Sequence, residues 1–406
     1  MLERHMTNAP VTNARTDRFF NFSVTILIFA SFMLGMSEFV VVGILPDIAS
    51  GLKISEVTVG NLVALFAFVY APCTPIGSAL SARFPRFATY LILMGVFLVG
   101  NILCALAPNY PVLLIARLLI ASVSGTLVAI SMTFAPDVTT DKYRTKFIAW
   151  VFSGFSIASV VGVPIGTWVA NTFGWRVTFY LVSVLTAVLM ISMALVLPRN
   201  SHPAKIGFLR QFRLFFDRRI QLGVLDVVCG AAASYVFYTY LSPIMRDEIG
   251  VPEQYLSIGL VIYGCACLWS NLYGGKLADK GRGVEPLTHI RPIYCVQAVC
   301  LCLLAFASLV PAAGALLLVA LGMLIYLQNS ASQVLYMDVA YQSHPGSVNL
   351  AASLNSMSFN IGIAIGSAVG GLVNDLLGLA WLGPVGAIFA LFAAGITTLL
   401  RPYIQR

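Results

Sequence analysis

Three ionisable residues, Glu38, Arg117 and Asp226, stand well inside long runs of apolar residues. A charge in an apolar medium is costly unless it faces a cavity or a partner, so such residues mark places where protons, ions or polar cargo are handled. A carboxylate there can take up and release a proton. Desolvation favours the neutral acid, a nearby guanidinium favours the ion, and motion that separates the two switches proton affinity. Glu38 is the first candidate for that proton carrier, with Arg117 as organiser of its site. A fixed structural ion pair is the plain alternative for the two. Asp226 is a secondary candidate whose alternative is to reach back toward Arg218 or Arg219.

A second group of residues could hold a ligand. One segment contains Tyr235, Phe237, Tyr238 and Tyr240, ending in Ser242-Pro243, the next adds Tyr263 and Trp269, and a later one carries Tyr326, Gln328, Asn329 and Gln333. Aromatic faces with a few amides suit a weakly polar, ring-bearing or sugar-like molecule. Tyr235, Tyr238, Asn329 and Gln333 are the substrate-binding candidates, with an interfacial aromatic belt as the alternative for the tyrosines. Gly154 and the run Gly162-Val163-Pro164-Ile165-Gly166 combine close helix approach with a bend, which serves either packing or gating. Gly362, Gly366 and Gly370 form a comparable face. In the run Gly274 to Arg282, Asp279 could latch a neighbouring helix and release it in each cycle.

That run lacks the spacing of a phosphate loop. The chain has no His/Glu metal arrangement and no Gly-x-Ser-x-Gly elbow. The eight cysteines, Cys265-Ala-Cys267 and Cys300-Leu-Cys302 among them, lack zinc or redox spacing and are expected as small buried hydrophobes. No enzyme chemistry, cofactor or metal is expected.

The elements that must position these residues follow from composition. Of 406 residues, 59% are apolar and only 10% charged, too few charges for a soluble surface. Twelve apolar segments are predicted at 22–45, 57–81, 87–108, 111–135, 146–171, 176–197, 220–243, 254–277, 290–310, 312–336, 349–373 and 380–400. Each is long enough as a helix to cross a hydrocarbon core of about 30 Å. The first is expected to be a spanning helix, since its apolar run exceeds a signal-peptide core. With the amino terminus inside, twenty of the 24 basic residues fall on the cytoplasmic side, and only Lys53, Arg176 and Arg246 fall outside. Both termini are therefore expected in the cytoplasm. The net charge of +8 then faces anionic lipid rather than nucleic acid. On this topology Glu38 and Arg117 lie at matching depth, roughly 9–11 Å below the outer edge, and Asp226 lies in the inner half.

The basic link 198–219 divides the chain into an N-terminal six-helix bundle, 1–197, and a C-terminal one, 220–406. Gly166, Ala170, Asn171 and Gly174 are matched 204 residues later by Gly370, Asn374, Asp375 and Gly378, which points to duplicated halves. Such halves suit a transporter that rocks about a central site.

At these residues the chain resembles the major facilitator superfamily, over nearly all of 20–400. Within it the likeness is to the bacterial drug/proton antiporters and their branch of sugar, purine and chloramphenicol exporters. The run Glu38-Phe39-Val40-Val41-Val42-Gly43-Ile44-Leu45-Pro46-Asp47-Ile48-Ala49 is typical of the first helix end in that branch. Gly275 to Lys280 resembles the second-half copy of the family's Gly-x-Leu-Ala-Asp-Arg loop. The first-half copy, Gly77 to Arg83, departs from it, with Ser81 where the acid is expected. Arg117 matches the helix 4 arginine associated with proton coupling. Gly154 and Gly162 to Gly166 resemble the helix 5 antiporter motif, and the Tyr235 to Pro243 run is typical of the branch.

The resemblance implies an all-α membrane protein of twelve transmembrane helices in two six-helix bundles, working by alternating access as a monomer. It implies export of a small organic substrate in exchange for protons across the bacterial inner membrane. The rivals are a symporter or facilitator that imports a nutrient, and a non-transporting receptor or scaffold. The second is disfavoured because the longest loop is about twenty residues and no extramembrane domain could carry a signal.

Overall fold

The computed structural model describes residues 19–81, 83–140, 143–199, 212–278, 285–288, 290–344 and 347–403, and all regular structure among them is helical. Asn21 opens the first helix, α1 (Phe22–Gly43), by accepting from the Val24 N–H at 2.9 Å. Such a cap satisfies a donor that the helix cannot. Asn109 does the same for α5 (Tyr110–Thr133), taking the Val112 N–H at 3.2 Å. Between them lie a short α2 (Leu45–Leu52), stopped by a left-handed Lys53, then α3 (Glu56–Ser81) and α4 (Arg86–Leu106).

The predicted fifth segment is broken rather than continuous. α6 (Arg144–Ile157) runs into a π turn, Ala158–Gly162, and resumes as α7 (Val163–Phe173) with Pro164 in its first turn. Proline has no N–H to give to the ladder, so a wider turn ahead of it is the local solution. α8 (Trp175–Val196) follows a positive-φ Gly174.

The later part contains α9 (Arg218–Tyr238), α10 (Glu253–Ala278), α11 (Arg291–Leu304), α12 (Pro311–Leu324), α13 (Leu327–Ser343), α14 (Val348–Leu377) and α15 (Leu382–Leu400). The helix predicted over 312–336 is interrupted at Ile325–Tyr326. There the Tyr326 N–H leaves the ladder for Ser270 Oγ, 3.0 Å away on α10. Gly378 before α15 has positive φ like Gly174 before α8, so two glycines that the sequence repeat pairs share one backbone conformation.

Taking α6–α7 and α12–α13 each as one bent helix, eleven helices among the described residues are long and apolar enough to cross a membrane. Twelve segments are predicted, and the shortfall is 290–310, which is helical only over Arg291–Leu304. Pro311 restricts the residue before it and starts a new helix, so a turn fills the gap.

α1 packs against α6, α7 and α8, and α4 against α5 and α8. α9 packs on α14 and α15, and α11 on α12 and α15. The two sets meet where α3 runs along α14 and α10 along the π turn and α7. Large apolar residues such as Ile92, Leu195, Leu309, Leu376 and Phe392 point outward, as lipid rather than water as the solvent requires. The expectation of buried cysteines holds for Cys104 and Cys267 but not for Cys265, Cys295 and Cys302, which lie on that outer surface. A thiol is apolar enough to face hydrocarbon.

Candidate functional site

Arg117 on α5 is 0% exposed, and its partners are backbone rather than carboxylate. Nη1 donates to the Ser37 carbonyl at 2.5 Å and Nη2 to the Glu38 carbonyl at 3.2 Å. The guanidinium lies 4.3 Å over the Phe66 ring of α3. A carbonyl has two lone pairs, so these two can serve both α1 and the arginine. Ser37 Oγ in turn donates to Asn101 Oδ1 at 2.8 Å, and Asn101 donates to the Phe97 carbonyl. α3, α4 and α5 thus clamp the middle of α1. The structure brings Arg117 and Glu38 together as their depth suggested, but no ion pair joins them. The Glu38 side chain, 8% exposed, turns to a cavity instead, and its Oε2 has no hydrogen-bond partner.

That cavity holds about 540 Å³, within the range of small-ligand sites. Glu38 and Phe39 of α1, Tyr70 of α3, Ser156 of α6, Asn271 of α10, Tyr326, Asn329 and Gln333 near or on α13, and Asn355, Phe359 and Asn360 of α14 line it. Asn329 and Gln333 reach the wall. Tyr235 and Tyr238 do not. They form a layer behind it, Tyr235 edge-on to Phe359 at 5.8 Å and Tyr238 stacked on Tyr263 at 5.5 Å. Sequence reasoning missed Tyr70, Asn271, Asn355, Phe359 and Asn360. Amides inside spanning segments were a usable signal for three of them, the same signal that picked out Asn329.

Gly162 and Gly166 pack on α1 to either side of Glu38. A Cβ at 162 would come 3.1 Å from Met36, and one at 166 would collide with Val40. Pro164 is buried between them. Asp279 lies outside the described residues.

Asp226 is 0% exposed and does not reach back to the basic rim. Its Oδ2 is in hydrogen-bonding contact with Tyr294 Oη at 3.1 Å, while Arg219 is held by Asp217 at 2.9 Å and by Ser343. Asp217 is the closer carboxylate for Arg219, and at the head of α9 it also caps the helix.

The cavity extends toward Gly275 and Asp338 at one end. The opposite end is bonded shut: Ser242 Oγ donates to the Val42 carbonyl at 3.0 Å, and Arg246 pairs with Glu56 at 2.8 Å. A second hollow of about 1050 Å³ lies at that shut end, lined by Asp47, Lys53, Glu56, Arg246 and Glu253 among others. Burial pushes the Asp47 carboxyl up to about 6, with Glu253 adding to the rise and Arg246 opposing it.

A helical membrane bundle with a polar, aromatic-walled cavity at its centre, shut at one end, is the architecture of a transporter. The chain belongs to the Major Facilitator Superfamily, whose model matches residues 27–351. It is 31% identical over 376 residues to the MFS-type transporter YtbD of Bacillus subtilis (strain 168), covering 92% of this chain and 94% of that one. It is 29% identical over 371 residues to the inner membrane transport protein YdhP of Escherichia coli (strain K12), covering 91% and 93%. Among solved structures, a bacterial homolog of the human lysosomal transporter Spinster, inward-facing and unoccupied, superposes with a TM-score of 0.72 at 16% identity, covering 95% and 97%. The chain is thus a multi-pass protein of the bacterial inner membrane and a secondary transporter of a small organic molecule rather than an enzyme.

Proposed function

We propose that the protein exports its substrate from the cytoplasm in exchange for protons, with Glu38 as a proton carrier and Arg117 as its organiser. The observation that carries this reading is the placement of Glu38. Its carboxyl group lines the substrate cavity with no ion-pair partner, while Arg117 holds the backbone beneath it. A proton and a substrate would then meet in one compartment, where the binding of one can bias the release of the other.

The distribution of basic residues supports cytoplasmic termini, so the open end of the cavity faces the cytoplasm and the Arg246–Glu56 end faces outward. The helix packing supports twelve crossings in two six-helix bundles, 1–197 and 220–406, joined by 198–219, with Arg291–Leu304 and the turn after it as the ninth crossing. The cavity wall supports Asn329 and Gln333 as substrate contacts, with Tyr235 and Tyr238 setting the position of Phe359 behind it. Gly162, Pro164 and Gly166 let the fifth crossing slide on α1 beside Glu38, and Asp279 latches the cytoplasmic face. The working unit is a monomer.

The test is internal pH in proteoliposomes of the pure protein, with a gradient of each candidate compound imposed in turn. Protons moving against one compound, and no proton movement in Glu38→Gln with binding retained, are expected. Protons moving with the compound would make the protein an importer, and normal exchange in Glu38→Gln would remove Glu38 from the mechanism.

A further inference from the structure

Asp226 is wholly buried on α9 and takes no part in the cavity wall. Its surroundings come from three helices. Tyr294 Oη of α11 is 3.1 Å from Asp226 Oδ2 and also in hydrogen-bonding contact with Gln328 Oε1 of α13. Asp226 Oδ1 and Gln328 Nε2 have no partner. The titratable groups facing the acid are Tyr294, Tyr336 of α13 and Cys229 of its own helix. Among the described residues no cation pairs with it, and Arg219 is engaged by Asp217 and Ser343.

Gly230, one turn along α9, makes the arrangement possible. A Cβ there would collide with Gln328 Oε1 and come within 2.8 Å of Tyr294 Oη. The missing side chain admits both groups to the side of the acid.

Counting protons identifies what is held. Tyr294 has one hydroxyl proton and two oxygen neighbours, both of which are acceptors when Asp226 is ionised. A proton on Asp226 completes the set: the acid donates to Tyr294, and Tyr294 donates to Gln328. Turning the Gln328 amide would also supply a donor, but it would leave a full negative charge on a wholly buried acid that no cation among the described residues pairs with, which a buried site does not sustain.

We propose that Asp226, Tyr294 and Gln328 form a second proton-binding site, separate from the substrate cavity, in which Asp226 holds the proton and the other two are positioning residues. Gln328 and Asn329 are neighbours on α13, one facing the acid and the other the cavity. A ligand that shifts α13 therefore also disturbs the contact that completes the proton site. Proton and cargo need not compete for one place; they communicate through a helix. The use of this proton in transport rests on the exchange reading above, but its presence does not.

Infrared spectroscopy of the purified full-length protein in lipid vesicles tests this without any cargo. At pH 7 a C=O stretch of a neutral carboxyl is expected that is absent in Asp226→Asn, restored in Asp226→Glu and retained in Glu38→Gln. Tyr294→Phe, which keeps the ring, should shift its frequency. Wild-type and Asp226→Asn spectra that coincide in this region would overturn the site, and an unshifted band in Tyr294→Phe would overturn its positioning by Tyr294. A failure of proton exchange in proteoliposomes would sink the export reading and leave the band in place.

Discussion

Glu38 and Asp226 are both carboxyl groups removed from bulk water, and the two parts of the chain accommodate them differently. Beside Glu38 a buried cation stands behind the wall. Arg117 is held by two α1 carbonyls and the face of Phe66, and the acid itself is left on an open cavity. Among the described residues no cation pairs with Asp226, which lines neither hollow and meets a tyrosine that in turn contacts an amide. The first arrangement leaves the acid within reach of whatever enters the cavity; the second walls it off behind a tyrosine and an amide. Two buried acids in one chain need not carry the same chemistry.

The comparison is broken most forcefully at the arginine. Arg117→Ala removes two charged hydrogen bonds and a ring contact from a fully buried position, so a loss of about 3 kcal/mol is expected, read as a lower melting temperature in detergent. Arg117→Lys should recover little, because a single ammonium cannot span both carbonyls as the fork does. Tyr294→Phe, the matching cut at the other acid, should cost only about 1 kcal/mol. Equal losses at both would mean that Arg117 is not the strut described here.

The glycine seams sharpen the comparison at the next level. A Cβ at Gly362 would stand 2.5 Å from Ala231 Cβ and 2.6 Å from the Val228 carbonyl, whereas one at Gly162 meets side-chain atoms alone, Met36 at 3.1 and 3.2 Å and Phe32 at 3.5 Å. Backbone cannot yield and methionine can. Gly362→Ala should therefore cost about 2 kcal/mol and Gly162→Ala less than about 1, both read by thermal unfolding. If Gly162→Ala unfolds normally yet loses exchange, the glycine serves motion rather than packing.

Much of this was legible in the residues. Charges inside apolar runs named Glu38, Arg117 and Asp226, because the penalty for burying them leaves few innocent explanations. Depth along a helix also made Glu38 and Arg117 neighbours. It could not say which atoms meet: rise per residue sets height, while the rotation of α5 about its axis decides that Arg117 finds carbonyls. For the same reason Tyr235 and Tyr238 looked like ligand contacts and stand one layer back, behind Phe359. The interruption at Tyr326 depends on a hydroxyl 56 residues away, which no local pattern carries. The short helix at Arg291–Leu304 was signalled by Pro311, but an apolar run on both sides hid it.

At the shut end the charges lie outside the membrane spans, and pH is the natural probe. The Asp47 carboxyl is raised from 3.8 to about 6, chiefly by burial and then by Glu253, so the folded chain holds this proton more tightly than the unfolded one. Its contribution to stability is complete below about pH 4 and is lost as pH rises through about 6. Melting temperature should thus fall over that interval in the wild type, and Asp47→Asn should flatten the fall. A slope unchanged in Asp47→Asn would place its origin elsewhere.

The smallest effect is expected at Arg246 and Glu56, although theirs is the ion pair that ties α3 to the turn after α9. Both side chains are about a quarter exposed, at 27% and 26%, and such pairs contribute at most about 1 kcal/mol. Arg246 also keeps Asp247 as a second partner at 2.7 Å, which softens the loss further. Glu56→Gln should leave the melting temperature nearly unchanged while raising the reactivity of a cysteine placed at Ser356 toward a membrane-impermeant thiol reagent added from the Arg246 side. The reason is the distinction already seen between the two acids. A contact that must break in every cycle has to be weak in energy and decisive in geometry, whereas one that holds α1 in place, as Arg117 does, can be strong. A large drop in stability with no change in labelling would reverse that assignment and make the pair a strut like Arg117.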